Sequence, residues 1–236
     1  NWFKWLMVLI ALPSGTPIQF VGNHRHHHAH SDDEYDPHSP SIKGFWYAHV
    51  GWYIKSNNTF VCLLYALGGP LRMLVDAFIR PRYNNEYNHL AQDISSDKFF
   101  RFVSKPVSYA IIVSFQAIFG IVLFYLLFNV NGIIVLWITL VCIFNLGDGL
   151  NSINHLYGKK VASAHDASTN NIIMAMLTMG DGWHANHHLF PGSANLGLLK
   201  WQFDPTYSII RFLKLIGIAS KIKVPTKQTV KHKLSS

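Results

Sequence analysis

The chain has 236 residues, half of them hydrophobic, with a net charge of +8 and a mean hydropathy of +0.17. That composition excludes a disordered chain and is apolar for a water-soluble globule. The charge is unevenly placed: no Lys or Arg occurs between Pro106 and Gly158, and cations cluster from Lys221 to Lys233. This argues for a membrane protein with basic flanks and against nucleic-acid binding.

In chain order, Trp2 to Leu12 is apolar but carries Lys4 and stops at Pro13. At about eleven residues it is short of the roughly twenty that cross a bilayer, and reads as a buried or interfacial helix. A Pro/Gly turn over 13–17 leads to a histidine cluster from His24 to His30, then to an acidic stretch, Ser31 to Ser41, broken by Pro37 and Pro40. Aromatics between Phe45 and Tyr53 are of the kind found at membrane interfaces. Phe60 to Leu67 is apolar and again too short to span.

Val107 to Phe128 is twenty-two residues without a charge, and Ile133 to Leu150 is apolar until Asn145 and Asp148. With a turn at Asn129–Gly132 between them, 107–128 and 133–150 are expected to form a transmembrane hairpin. The alternative is a pair of buried helices in a soluble bundle. A hairpin returns the chain to its starting side, so the histidines before and after it would share one membrane face. The turn lacks positive charge, which makes that face cytosolic. The expected class is an all-α integral membrane protein with a cytosolic histidine-rich cap, one domain over 1–236. Cys62 and Cys142 lie in apolar runs and read as core residues.

Fourteen histidines are the outlier. The pattern H-x-x-H-H occurs at His24, His27 and His28, and again at His184, His187 and His188. On a helix, positions i, i+3 and i+4 share a face, so each triplet can offer three imidazoles to one point. Imidazole is the commonest protein ligand of first-row metals. At this histidine content one copy arises by chance roughly 0.05 times per chain. The run His26–His28 leaves a metal-buffering tract as the other reading of the first copy. His155 ends the second apolar stretch within Asn151-Ser152-Ile153-Asn154-His155. It is either a hydrogen-bonded core residue or a functional one, because polar groups at such depth are costly. Asn151, four residues earlier, can share its face.

Together these segments resemble the membrane-bound fatty acid desaturases of the stearoyl-CoA and bacterial acyl delta-9 type. The resemblance runs through His24-Arg25-x-His27-His28, Ser31-Asp32, Asp36-Pro37-His38 and Gly44 to Trp52. It continues through Asn151-Ser152 to His155-Leu156-Tyr157-Gly158, and Gly182-Trp183-His184 to His187-His188. It implies two iron ions held by His24, His27, His28, His155, His184, His187 and His188, with Asn151 acting through water. It also implies O2-dependent insertion of a cis double bond, delta-9 in that type, into a long acyl chain carried by CoA or a lipid. Electrons would come from an external donor, ferredoxin or cytochrome b5. Many neutral imidazoles are unlike the closed four-ligand zinc site and suit redox chemistry. Asp32, Asp36, Asp166 and Asp181 are candidates to orient histidine N–H groups, and equally solvated or capping residues.

The chain departs from the family at Asp181 and Ala185 of the third box and at Asp148. The family's first box, H-x-x-x-x-H, has no counterpart. Since the chain also opens in mid-run at Asn1 without a methionine, the expectation is an N-terminally truncated chain lacking a further hairpin. It would bind substoichiometric iron alone and form no unsaturated product, and the upstream region would restore both. A histidine-rich di-iron hydroxylase or ketolase is a neighbouring reading, separated by its alcohol or ketone product. A non-catalytic metal-binding membrane protein would need ionisable residues along its spans, where only Asp148 occurs.

Overall fold

A computed structural model describes residues 2–161 and 165–235; Asn1, where the sequence opens in mid-run, lies outside them. The structure is mainly helical. In chain order the helices are α1 Trp2–Ile10, α2 Pro17–Ala29, α3 Pro40–Lys43, α4 Trp52–Ile54, α5 Thr59–Ala66 and α6 Pro70–Ile79. They continue as α7 Gln92–Ser96, α8 Lys98–Val103, α9 Pro106–Ser152, α10 Ile172–Leu177, α11 His184–Leu189, α12 Pro205–Leu215 and α13 Lys227–Ser235. Two two-residue strands, β1 Lys159–Lys160 and β2 Thr169–Asn170, pair antiparallel with Lys159 opposite Asn170. By internal packing the chain divides into two units, residues 1–30 with 46–145 and residues 31–45 with 146–236.

In the first unit, α1 has no buried residue, so the apolar run at the start is not a buried helix. Helix α2 starts with a capping box: Thr16 accepts from Gln19 N, and the Gln19 side chain accepts from Thr16 N. Reciprocal capping of this kind satisfies donors that a helix start otherwise orphans. The same Gln19 amide donates to the carbonyls of Arg80 and Tyr83 and to Asn85. Asn23 donates to the Asn84 carbonyl. Gly22 lets α2 approach the 3-10 turn at Asn88–Ala91, since a Cβ there would lie 2.4 Å from the Tyr87 carbonyl oxygen. These contacts fix which face of α2 its histidines can use.

Helix α9 is 47 residues long, and its one non-helical residue is Asn129, at φ 55° and ψ −145°. The sequence-predicted turn over 129–132 is thus a break at one residue, followed directly by helix. Tyr109, Val113 and Ala117 pack in one cluster with Leu136, Leu140 and Phe144. The 47 residues are two helices joined at a kink at Asn129. Outward apolar side chains such as Val107, Ile111, Leu126 and Val130 are exposed. Among the described residues this is the helix long and apolar enough to cross a membrane. Cys142 is exposed on it rather than buried in a core, whereas Cys62 is buried.

The bent pair α5 and α6, with the turn that follows, meets the same criterion when its halves are taken together across a 116° bend. Only the first half was legible as an apolar run. Gly68-Gly69-Pro70 interrupts the pattern, and α6 buries Arg72 and Asp76, with Arg80 buried in the 3-10 turn that follows it. Arg80 Nε donates to Asp76 Oδ1 at 2.8 Å, and the guanidinium of Arg72 lies over the Tyr65 and Phe144 rings. Charges paired in this way can be buried in a segment that hydropathy alone passes over.

In the second unit the end of α9 runs into a turn. Ile153 N donates to Gly149 O, and Tyr157 N donates to Ile153 O. Thr169 then ties β2 to this turn, donating through both its backbone N and its Oγ1 to the Asn154 carbonyl at 2.7 Å. The result sets His155 beside α11.

Candidate metal centre

Helix α11 carries the second triplet. Its approach is fixed by Gly182, where a Cβ would lie 2.0 Å from Ala175 N, so only glycine lets α10 pack so closely. Trp183 is buried, and its Nε1 donates to the Phe203 carbonyl. Asn186 points away from the histidine face. It accepts from Asn170 Nδ2 at 2.8 Å and donates to the Leu196 carbonyl and to Gln202 Oε1.

With the helix so held, His155 Nε2 lies 3.1 Å from His184 Nε2, and His188 Nε2 lies 3.2 Å from that same atom. His155 and His184 are buried. The opposite nitrogens face carboxylates. His155 Nδ1 donates to Asp32 Oδ2 at 2.7 Å, and His188 Nδ1 donates to Asp166 Oδ2 at 2.6 Å. An ionised carboxylate can only accept, so both Nδ1 atoms carry the proton, and in the neutral rings both Nε2 atoms present lone pairs. These two lone pairs point at a third ring nitrogen that can donate at most one proton. An arrangement with at least one lone pair facing another is repulsive unless a cation stands between them. Two imidazole nitrogens bound to one ion at about 2.1 Å lie about 3.0 Å apart at right angles and about 3.4 Å apart in a tetrahedron. The observed separations fall in that interval, so the donor set fits a first-row metal ion.

The carboxylates are themselves held. Asp32 adopts a left-handed backbone, φ 62°, which aspartate tolerates better than most residues. It accepts from Ser39 Oγ and Ala167 N, and its own N–H donates to Asp36 Oδ2. Burial opposes ionisation of Asp32, but the His155, Ser39 and Ala167 hydrogen bonds prevail and lower its pKa. Burial likewise opposes ionisation of Asp166, and His188 with Ser168 outweighs it, holding the carboxyl far below the usual carboxylate range. Both groups therefore stay anionic partners of the histidines, and such partners fix tautomer and raise ligand basicity.

The other predicted residues divide. Asp36 is fully buried, and it accepts from the backbone N of Asp32 and of His38; it shapes the loop that presents Asp32. Asp181 is exposed and makes no side-chain hydrogen bond among the described residues. Partial burial of its carboxyl group and the nearby Asp204 carboxylate instead raise its pKa. Asn151 is half-buried in the last turn of α9, again without a side-chain hydrogen bond among the described residues. His187 is half-buried on α11, its ring centroid 5.8 Å from that of His184.

In the first unit, His24 Nε2 and His28 Nε2 of α2 stand 3.1 Å apart, and His27 is buried beside them. Their neighbours serve the opposite face. His26 stacks on Tyr87 with ring centroids 3.6 Å apart, while Arg25 forms a two-pronged ion pair with Asp93. His30 lies at the C-terminal cap of α2, and His89 is exposed. Sequence reasoning missed Ser39 and Ser168 as clamps on the carboxylates. A Ser two residues after Asp166 was the available signal, since such pairs form local side-chain turns.

The fatty acid desaturase family model matches residues 1–206. The chain is 35% identical over 239 residues to a probable chloroplastic lipid desaturase of Arabidopsis thaliana, covering 98% of this chain and 57% of the relative. It is 34% identical over 226 residues to icosanoyl-CoA 5-desaturase of Limnanthes douglasii, covering 93% and 55%. A third relative, sn-1 stearoyl-lipid 9-desaturase of Anabaena variabilis, is 33% identical over 233 residues, covering 97% and 74%. The chain thus spans little more than half the length of the first two. Since the family model takes in most of the chain, and since the histidine segments fall inside the match, the chain belongs to the fatty acid desaturase family.

Proposed function

We propose that the protein is an O2-dependent acyl desaturase that places a cis double bond, at delta-9, in a long saturated acyl chain carried by CoA or a lipid. The observation that carries the reading is the convergence of His155, His184 and His188 Nε2 lone pairs, with Asp32 and Asp166 behind two of the rings. His24, His27 and His28 from α2, together with His187, complete a set for two iron ions, and Asn151 joins through water. When bound, the irons supply the redox chemistry with O2 that removes two hydrogens from an unactivated methylene pair.

The chain's own residues do the rest. Asp32 and Asp166 hold His155 and His188 in the tautomer that presents Nε2. Asn186 and Trp183 keep α11 in register, so that its three histidines share a face. The two halves of α9 form a transmembrane hairpin, and the histidines lie on the cytosolic side. Electrons come from an external carrier, ferredoxin or cytochrome b5. Relatives named for CoA and for lipid substrates, and for positions 5 and 9, support acyl desaturation as the common chemistry.

The test is iron bound to the purified protein, wild type against His184→Ala and His26→Ala. Loss of iron in the first variant and not the second is expected. Equal iron in both variants would refute the assignment.

A further inference from the structure

After Asp204 the sequence has no Asp or Glu, yet it carries Arg211, Lys214, Lys221, Lys223, Lys227, Lys231 and Lys233. That last acid is itself engaged: Asp204 is buried and accepts from Tyr207 N and Leu196 N. The helix it caps, α12, has no buried residue. Ile209, Phe212 and Leu215, spaced by three, form an exposed ridge, with Leu215 83% exposed. Arg211 and Lys214 flank this ridge and are exposed as well. Gly217, at φ 78°, then turns the chain back, and Ile218 N and Ala219 N donate to the Leu213 carbonyl. The returning strap is pinned where Ala194 N donates to the Lys223 carbonyl. Between helix and strap lies a cavity of about 460 Å3, lined by Tyr207, Arg211, Lys214, Leu215, Ile222 and Val224.

A ridge of large apolar side chains beside a row of cations is the pattern of a helix lying in a membrane interface. A water-facing helix would not keep such a ridge uncovered. We propose that 205–224 forms an in-plane docking surface for an anionic phospholipid bilayer, its apolar ridge seated among the acyl chains and a headgroup phosphate held by Arg211 and Lys214 at the cavity mouth. Charge complementarity selects this occupant. A purely zwitterionic surface would use the ridge alone, and the four cations of 205–224 (Arg211, Lys214, Lys221 and Lys223) would contribute little.

The experiment places a cysteine at Ser208, on the edge of the ridge, in a Cys142→Ser background, and labels it with an environment-sensitive fluorophore. The intact protein is reconstituted in nanodiscs of phosphatidylcholine alone or mixed with phosphatidylglycerol. Shielding from aqueous iodide is expected with phosphatidylglycerol and not with phosphatidylcholine alone. Each cation near an anionic surface strengthens attachment by roughly fivefold, so Arg211→Gln with Lys214→Gln should weaken it roughly twenty-five-fold. The swap Arg211→Lys with Lys214→Arg should preserve it, which separates charge from folding. Millimolar inorganic phosphate should leave the shielding unchanged. The proposal is overturned by equal shielding in both lipids, by no effect of the glutamine pair, by displacement with free phosphate, or by shielding that appears only when an acidic soluble protein is added.

Discussion

Replacing Asp166 tests whether a carboxylate behind a histidine tunes the metal site. The His188 Nδ1–Asp166 Oδ2 contact is 2.6 Å, and the carboxyl is held anionic well below its usual range. A hydrogen bond to a charged group contributes about 1.5–3 kcal/mol and a neutral one about 0.5–1.5. Asp166→Asn keeps an acceptor and loses the charge, a difference of about 1 kcal/mol or roughly fivefold in metal affinity. Asp166→Ala loses both, about 2 kcal/mol or roughly thirtyfold, inside the 10–100-fold range typical of outer partners of metal ligands. Asp166 also accepts from Ser168 N and Oγ, so Ser168→Ala controls for the loop without touching His188. The assay is anaerobic competition for Fe2+ against a chromogenic chelator. Affinity within twofold of wild type for Asp166→Ala would refute the reasoning, as would a Ser168→Ala variant equally impaired.

Further outcomes are expected. His187→Ala should abolish product formation and lower bound iron, whereas His26→Ala should lose its ring contacts with Tyr87 and His30 and stay active; a dead His26→Ala enzyme that still folds would mean the wrong face of α2 has been assigned. On acidification, metal should leave as protons compete with it for the histidine nitrogens, while Asp32 and Asp166 remain ionised. Both aspartates have depressed folded pKa values. Their stability contribution is therefore complete above the unfolded value of about 3.9 and is lost only as pH falls through the folded values. Metal release and acid unfolding should appear as two separate steps, and one combined step below pH 4 would contradict this. In intact cells, with Cys142 replaced by Ser, a cysteine at Asn131 should react with an impermeant maleimide and one at Ser31 should not; the reverse pattern would overturn the proposed topology.

Much of the candidate metal centre was legible because the histidines proposed as its ligands repeat at helical spacing and because a metal needs several like donors together. His155, His184 and His188 come together as expected from a sequence separation of about thirty residues, which no local pattern encodes. The carboxylates were legible only as candidates. Asp32 and Asp166 meet histidines because Ser39, Ala167 and Ser168 hold them, while Asp36 Oδ1 lies 3.6 Å from His38 Nδ1, a histidine outside the repeated triplets. The long apolar helix was evident from hydropathy, but α6 was not: its buried Arg72 and Asp76, with Arg80 just beyond its end, lower the apolar signal that the aromatic rings around them restore in three dimensions.

The most direct test of the central claim is the acyl-chain profile of a host lacking its own desaturase and expressing the complete gene, wild type beside His184→Ala. A new cis-monounsaturated chain, with the double bond at delta-9, is expected from wild type and none from the variant. An alcohol or ketone in place of the alkene, or an alkene that persists in His184→Ala, would contradict the account.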